Sequence, residues 1–347
     1  MATTAATPIR RRRLRRSNLS APGYARRRCG KGFIYLDEEG ERLTDTEVIA
    51  RITALVIPPA WKEVWISPDP FGHIQATGLD ARGRKQYLYH PRWRERRDQE
   101  KFDDMVAFAR ALPALRSVVD HDVALGDMSR EQVLACAARL LDRGFFRIGS
   151  EEYKVTNETY GLATMLKRHV TLDGEVIRFD YVAKEHKRRV QAIVDPEVAI
   201  VVGTLKRRRG GGEELLAYRR AGRWCDVRSP DINAYLKAAT SHDISAKDFR
   251  TWGATVLAAV GLAVTEPGNL SPTARKRAIM RAIKEVAFYL GNTPAVARSS
   301  YIAPRIFDRY RDGQTIKPTL ELLGGEPGAT AIQGPAEEAV LDLLDAP

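Results

Sequence analysis

The sequence is poor in cysteine. Its three cysteines, Cys29, Cys136 and Cys225, lie far apart and lack CxxC spacing. That argues against a disulfide framework or a zinc site and sets a reducing compartment as the expectation. No apolar run approaches the ~18 residues of a membrane-spanning helix. The first 28 residues are basic but contain no apolar stretch, so no secretory signal is expected. The run Gly210-Gly211-Gly212 lacks the following GK[ST], which leaves a turn and no ATP loop. No Asp/Glu/His group has metal-ligand spacing, so neither a metal nor another cofactor is expected. Acidic residues are also the minority: 44 Asp and Glu against 56 Lys and Arg give a net charge of +12 over 347 residues. Such an excess favours a polyanionic partner, nucleic acid or an anionic membrane surface.

Length suggests two domains. Residues 1–30 read as a basic flexible arm, because Arg10-Arg11-Arg12-Arg13 and Arg26-Arg27-Arg28 repel themselves. Such an arm is either a solvated tail or a nonspecific phosphate-binding segment. Residues 31–92 read as a small β-rich domain, with strands near 33–36, 64–67, 73–77 and 85–89 and a helix over 45–57 stopped by Pro58-Pro59. Residues 93–320 read as a mainly helical domain. A charged helix is predicted over 93–111, and Ser129 with Gln132 forms a capping box for the next, which holds Cys136 in its buried face. Residues 175–182 and 187–194 form a predicted β-hairpin with Lys184 at its tip. Helices follow at 231–239, 246–264 and 273–290. Residues 321–347 are Gly/Ala/Glu/Pro-rich and read as a poorly ordered tail with at most one short helix. The fold class is therefore α+β.

A chemical set stands out in chain order: Arg147, Lys184, Arg250, Asn292 and Tyr301. A tyrosine titrates near about 10 and needs help to act as a nucleophile at neutral pH. Arginine forks can grip two phosphate oxygens and stabilise both a phenolate and a charged phosphorane. A lysine on a mobile tip can protonate a departing sugar oxygen. Each residue also has a bland reading. Tyr301 alone is a core or interface tyrosine, Arg147 a helix C-cap, Lys184 a solvated turn residue, and Asn292 a helix-terminating turn residue. Arg250 differs, since a cation in the first turn of a helix opposes the dipole.

Four segments together resemble the type IB DNA topoisomerases of the poxvirus and bacterial kind. They are Phe146-Arg147-Ile148-Gly149 with Asn157-Glu158-Thr159-Tyr160-Gly161, Phe179-Asp180-Tyr181-Val182-Ala183-Lys184, Lys247-Asp248-Phe249-Arg250-Thr251-Trp252-Gly253, and Asn292-Thr293-Pro294 through Tyr301. The resemblance runs from about Gly32 to Tyr310. It implies that Tyr301 is the covalent nucleophile, that Arg147 and Arg250 bind the scissile phosphate, and that Lys184 is the general acid. Asn292 stands where many members have histidine; it can donate a hydrogen bond but carries no charge. The resemblance also implies an amino-terminal β-rich domain and a helical catalytic domain that form a clamp around duplex DNA. DNA contacts are expected from Gln75, Arg84, Lys85 and Tyr87 in the first and from Tyr153, Lys167 and Arg168 in the second.

The expected activity is relaxation of supercoiled DNA through a 3′-phosphotyrosyl intermediate, strand rotation and religation, with neither ATP nor metal. The expected partner is double-stranded DNA alone, with no membrane and no obligate protein partner. The expected state is a monomer in the cytoplasm, on the bacterial nucleoid. Two rivals remain. A tyrosine site-specific recombinase uses a similar residue set but usually carries His-x-x-Arg, where this chain reads Lys247-Asp248-Phe249-Arg250. A non-catalytic duplex-DNA clamp would be indifferent to loss of the Tyr301 hydroxyl.

Overall fold

A computed structural model of the protein describes residues 12–265, 270–323 and 333–346, the side chains of Glu152 and Tyr153 excepted. The chain divides into two compact units, Met1–Lys101 and Phe102–Pro347.

Among the described residues, the first unit holds a five-stranded antiparallel sheet, one complete helix and the start of a second. Its elements are β1 (Tyr24–Cys29), β2 (Gly32–Leu36), α1 (Thr46–Ala54), β3 (Lys62–Ile66), β4 (Ile74–Leu79) and β5 (Lys85–Tyr89), in the spatial order β2-β1-β3-β4-β5. Asp45 caps α1 by accepting from the amides of Glu47 and Val48. Ile52 and Ile57 pack with Val64, Ile66 and Ala76 into a small core. The opposite face of β5 shows Lys85, Tyr87 and Tyr89 to solvent, as strand alternation requires.

Here the expected flexible arm is corrected in part. Arg10 and Arg11 lie outside the described residues, but the chain is organised from residue 12 onward. The Arg15 amide donates to Phe71 O at 2.9 Å, and Arg15 O accepts from His73 N at 2.8 Å. Arg26-Arg27-Arg28 lies in β1, between β2 and β3. The expected self-repulsion is met by carbonyls: the Arg26 guanidinium donates to Ile57 O, Pro58 O and Trp61 O at 2.8–3.0 Å and stacks 4.2 Å from the Phe33 ring.

Helix α2 (Pro91–Val123) begins in the first unit and continues into the second. It runs past the expected end near 111 and through Pro113, because Leu112, Leu115, Val119 and Val123 continue its buried stripe. There follow α3 (Arg130–Gly144), α4 (Glu151–Asn157), β6 (Val170–Asp173), β7 (Val176–Ala183), β8 (Lys187–Val194), α5 (Pro196–Arg207), β9 (Ala217–Arg220), β10 (Arg223–Asp226), α6 (Ser229–Thr240), α7 (Ala246–Ala263), α8 (Pro272–Leu290), α9 (Pro294–Ser300), α10 (Pro304–Arg311), α11 (Lys317–Leu323) and α12 (Pro335–Asp345). Strands β6-β7-β8 form one sheet and β9-β10 a second. Helices α3 and α7 are buried over most of their circumference and form the centre of this unit. Cys136 is fully buried in α3, and burial pushes its thiol up to about 12.

The expected loose tail is also corrected, because α12 is docked. Ala336, Val340 and Leu344 recur at helical spacing and are buried. Glu337 accepts from Arg116 at 2.6 and 3.0 Å and from Trp252 Nε1 at 2.8 Å, and Arg116 also holds Asp142 of α3. Arg305 and Arg309 of α10 donate to Ala346 O at the far end of α12. These partners lie far away in sequence, so composition alone could not reveal them.

Candidate active site

The site is organised around the end of one helix. Helix α8 closes on Gly291, in the left-handed region at φ +62°, with Gly291 N donating to Phe288 O and Asn292 N to Ala287 O. This pattern is the Schellman turn, and it leaves carbonyls at the negative end of the helix dipole without helical donors. Three arginines converge on this end, filling Tyr289 O and Leu290 O and sharing Phe288 O with Gly291 N. Arg189 donates to Phe288 O at 2.9 Å and Tyr289 O at 2.5 Å. Arg147 donates to Leu290 O at 3.1 Å and Gly291 O at 3.4 Å. Arg250 donates to Leu290 O at 3.0 Å.

Each arginine reaches this point along a different element. Arg147 follows α3 through Phe145, whose φ of +52° turns the chain sharply. Its backbone is then fixed by bonds from Leu162 N to Arg147 O and from Ala163 N to Ile148 O, at 2.8 and 2.7 Å. Those bonds require Gly149 and Gly161 to cross in close contact: a Cβ on Gly161 would lie 2.4 Å from Gly149 N. Arg250, the fifth residue of α7, donates to Phe145 O and is only 4% exposed. Its unfavourable place in α7 is thus resolved at the opposite pole of α8. Asn292 accepts from Arg147, while its own amide nitrogen is buried without a hydrogen-bond partner; Arg250 Nε is likewise orphaned. Unpaired buried donors call for an acceptor.

Tyr301 ends α9, which Thr293 caps by accepting from Val296 N. The Tyr301 carbonyl accepts from Thr255 of α7, and the Arg250 guanidinium lies 5.2 Å from the Tyr301 ring centre. Burial by itself would raise the Tyr301 phenol, but Arg250, Arg147 and Lys247 outweigh it and hold the phenol below the ordinary tyrosine value. Burial pulls Arg250 down to about 10, so it stays protonated at neutral pH. Burial lowers Arg147 too, against the pull of Tyr301.

Arg147, Lys184, Lys247, Arg250 and Tyr301 line one cleft of about 340 Å³. The hairpin β7-β8 is paired from Val176↔Val194 to Ala183↔Lys187 and carries exposed Lys184 at its tip. Beyond it, Glu185 and His186 are left-handed, at φ +65° and +55°. Asn292 touches this set through Arg147.

The expected DNA contacts fare unevenly. Lys85 and Tyr87 are exposed on β5, with Tyr87 stacked on Tyr89 at 6.1 Å. Arg84 is exposed and paired with Asp80 at 2.8 Å. Arg168 is exposed, whereas Lys167 is half-buried. The Tyr153 side chain lies outside the described residues. Gln75 needs correction: it is 3% exposed, and its amide donates to Gly72 O at 2.7 Å while accepting from Arg51. It organises the 69–72 turn and offers nothing to a partner.

Two residues escaped the sequence reading. Lys247 sits three residues before Arg250, and that spacing places both on one helix face, so the signal was present. Arg189 sat in the run Lys187-Arg188-Arg189, where only tertiary structure singles it out.

Residues 90–317 match the family model described as eukaryotic DNA topoisomerase I, catalytic core, and residues 32–80 match that of the bacterial DNA topoisomerase IB, N-terminal domain. The chain is 28% identical over 298 residues to the DNA topoisomerase 1B of Acanthamoeba polyphaga mimivirus, covering 84% of this chain and 88% of the viral protein. It is 20% identical over 273 residues to the DNA topoisomerase 1B of vaccinia virus strain Copenhagen, covering 78% and 82%.

Proposed function

This chain belongs to the type IB DNA topoisomerases, and we propose that it relaxes supercoils by cutting one strand on Tyr301, letting that strand rotate, and resealing it. The observation that carries the reading is the convergence of Arg147, Arg250, Lys247 and Lys184 on the cleft of Tyr301. The phenol gives its proton to solvent and its oxygen attacks the phosphorus. The bond from phosphorus to the 5′ oxygen breaks, and that oxygen takes a proton from the Lys184 ammonium. Arg147 and Arg250 stabilise the charge that builds on the nonbridging oxygens, with Asn292 donating its free amide. Resealing is the reverse: the 5′ hydroxyl attacks, Lys184 recovers the proton, and Tyr301 leaves. The phosphotyrosyl bond conserves the energy of the broken bond, so the cycle needs neither ATP nor metal. On this reading one copy acts alone on chromosomal duplex DNA in the cytoplasm, where a net charge of +12 favours contacts to the phosphate backbone.

The test is supercoiled plasmid incubated with the protein in EDTA without ATP. Relaxed topoisomers should appear, and denaturant should trap protein on a 3′ phosphate. Tyr301→Phe should abolish both while preserving duplex binding. Covalent trapping by the Phe variant would remove Tyr301 from the mechanism.

A further inference from the structure

Arg189 does not line the cleft, yet it is bound to the same helix end as the two cleft arginines. It lies on β8, opposite Tyr181 of β7, five residues from the hairpin tip. Both terminal nitrogens of its guanidinium are committed, to Phe288 O and Tyr289 O of α8, and one of them also to Gln191 Oε1 at 3.3 Å. Gln191, on the same face of the strand, donates to Gly144 O at 3.0 Å, at the end of α3. One face of β8 is thus fastened to the two helix ends that lead to Arg147 and to Asn292. The fit at α8 is close: a Cβ on Gly291 would lie 3.2 Å from Arg189 Nη1. The tip itself is exposed and contains two left-handed residues, so the position of Lys184 is set from the base of the hairpin.

The geometry points to Arg189 as a positioning residue for the general acid: by tying β8 to the end of α8, it fixes where the Lys184 ammonium stands relative to the leaving 5′ oxygen. This rests on the role of Lys184 given above. Arg147 and Arg250 also line the cleft of Tyr301 and Arg189 does not, so Arg189 is poorly placed to bind the phosphate itself. Its charge also disfavours the protonated forms of Arg147 and Arg250, so a purely electrostatic contribution would come at the expense of its neighbours.

The test compares single-turnover cleavage of a duplex with a normal 5′ oxygen and one with sulfur in that bridging position. A thiolate leaves without a proton, so a defect that arises only from the general acid disappears. Misplacement of a catalytic group by ~1 Å costs about 100-fold. Arg189→Ala should therefore lose about 100-fold on the oxygen substrate and return to within a few-fold of wild type on sulfur. Lys184→Ala should behave likewise, and Arg147→Ala should stay defective on both. The double variant of Arg189 and Lys184 should be no slower on oxygen than Lys184→Ala alone. Arg189→Lys, which keeps the charge and one carbonyl contact, carries the same comparison should the alanine variant be insoluble. If sulfur rescues Lys184→Ala but not the Arg189 variants, the positioning role is overturned and Arg189 acts on the phosphate or on the fold. A wild-type rate for the Arg189 variants on oxygen overturns it too. If sulfur fails to rescue Lys184→Ala, the reading of Lys184 falls first and the assignment of Arg189 falls with it.

Discussion

Replacing Arg250 by lysine is the sharpest probe of the cleft. The guanidinium is 4% exposed, binds Phe145 O and Leu290 O through different nitrogens, and lies 5.2 Å from the Tyr301 ring centre. Lysine keeps a charge and one donor but loses the fork. Removal of one preorganised donor costs about 2.7–4 kcal/mol, or about two to three decades in rate. Alanine removes the second donor and the charge, so it should fall at least a further decade below lysine. The fold should tolerate both: Leu290 O keeps its bond from Arg147, and loss of the partner of Phe145 O costs about 1–3 kcal/mol against a typical ~5–15 for a domain. The assay is single-turnover formation of the covalent complex across a pH series. Arg250 is the foremost of the cations that hold the Tyr301 phenol down. Without it the phenol titrates higher, so the rising limb of the alanine variant should move to higher pH. A lysine variant that cleaves at the wild-type rate, or an alanine limb that stays put or moves to lower pH, would refute the reasoning.

Three further outcomes follow from the geometry. Gly161→Ala places a Cβ 2.4 Å from Gly149 N and should slow cleavage by about 100-fold by displacing the Arg147 backbone; unchanged kinetics would show that this crossing can relax. Glu337→Ala leaves the buried Trp252 indole N–H without its acceptor and should destabilise by about 1–3 kcal/mol in denaturant unfolding, with Glu337→Gln milder because it still accepts; an unshifted midpoint would mean that α12 is not held there. Replacing Arg12, Arg13, Arg15 and Arg16, all exposed, by alanine should reduce the slope of log affinity against log salt by up to about 0.9 for each lost phosphate contact; an unchanged slope would return this segment to the solvated reading.

What was legible in the sequence follows from range. The hairpin carrying Lys184 and the helices behind Ser129 and Ser245 are set by neighbours within a few residues, and they lie where local pattern places them. Arg250 betrayed itself by opposing its own helix dipole. Several features that the sequence hid share one cause: an arginine serves distant carbonyls. Arg26 spans to Ile57, Pro58 and Trp61, Arg189 to Phe288 and Tyr289, and Arg309 to Leu343 and Ala346. A carbonyl is present at every position of the chain and leaves no compositional trace, so such bonds are invisible until the fold brings the two ends together. Gln75 failed in the opposite direction, since a polar residue in a strand gives no sign of which backbone turn it will hold.

The shared end of α8 has a consequence for selectivity between ground state and transition state. On the proposed mechanism, an arriving phosphodiester meets Asn292 Nδ2 and Arg250 Nε idle, but must compete with the helix for the arginine donors that already hold carbonyls there. A singly charged diester gains little from that exchange, whereas the more highly charged phosphorane gains much more. The helix end therefore acts as a threshold. On the proposed mechanism it subtracts from the binding of any intact backbone in the cleft and is overcome as the pentavalent species forms, which would concentrate the interaction energy at the moment of bond exchange.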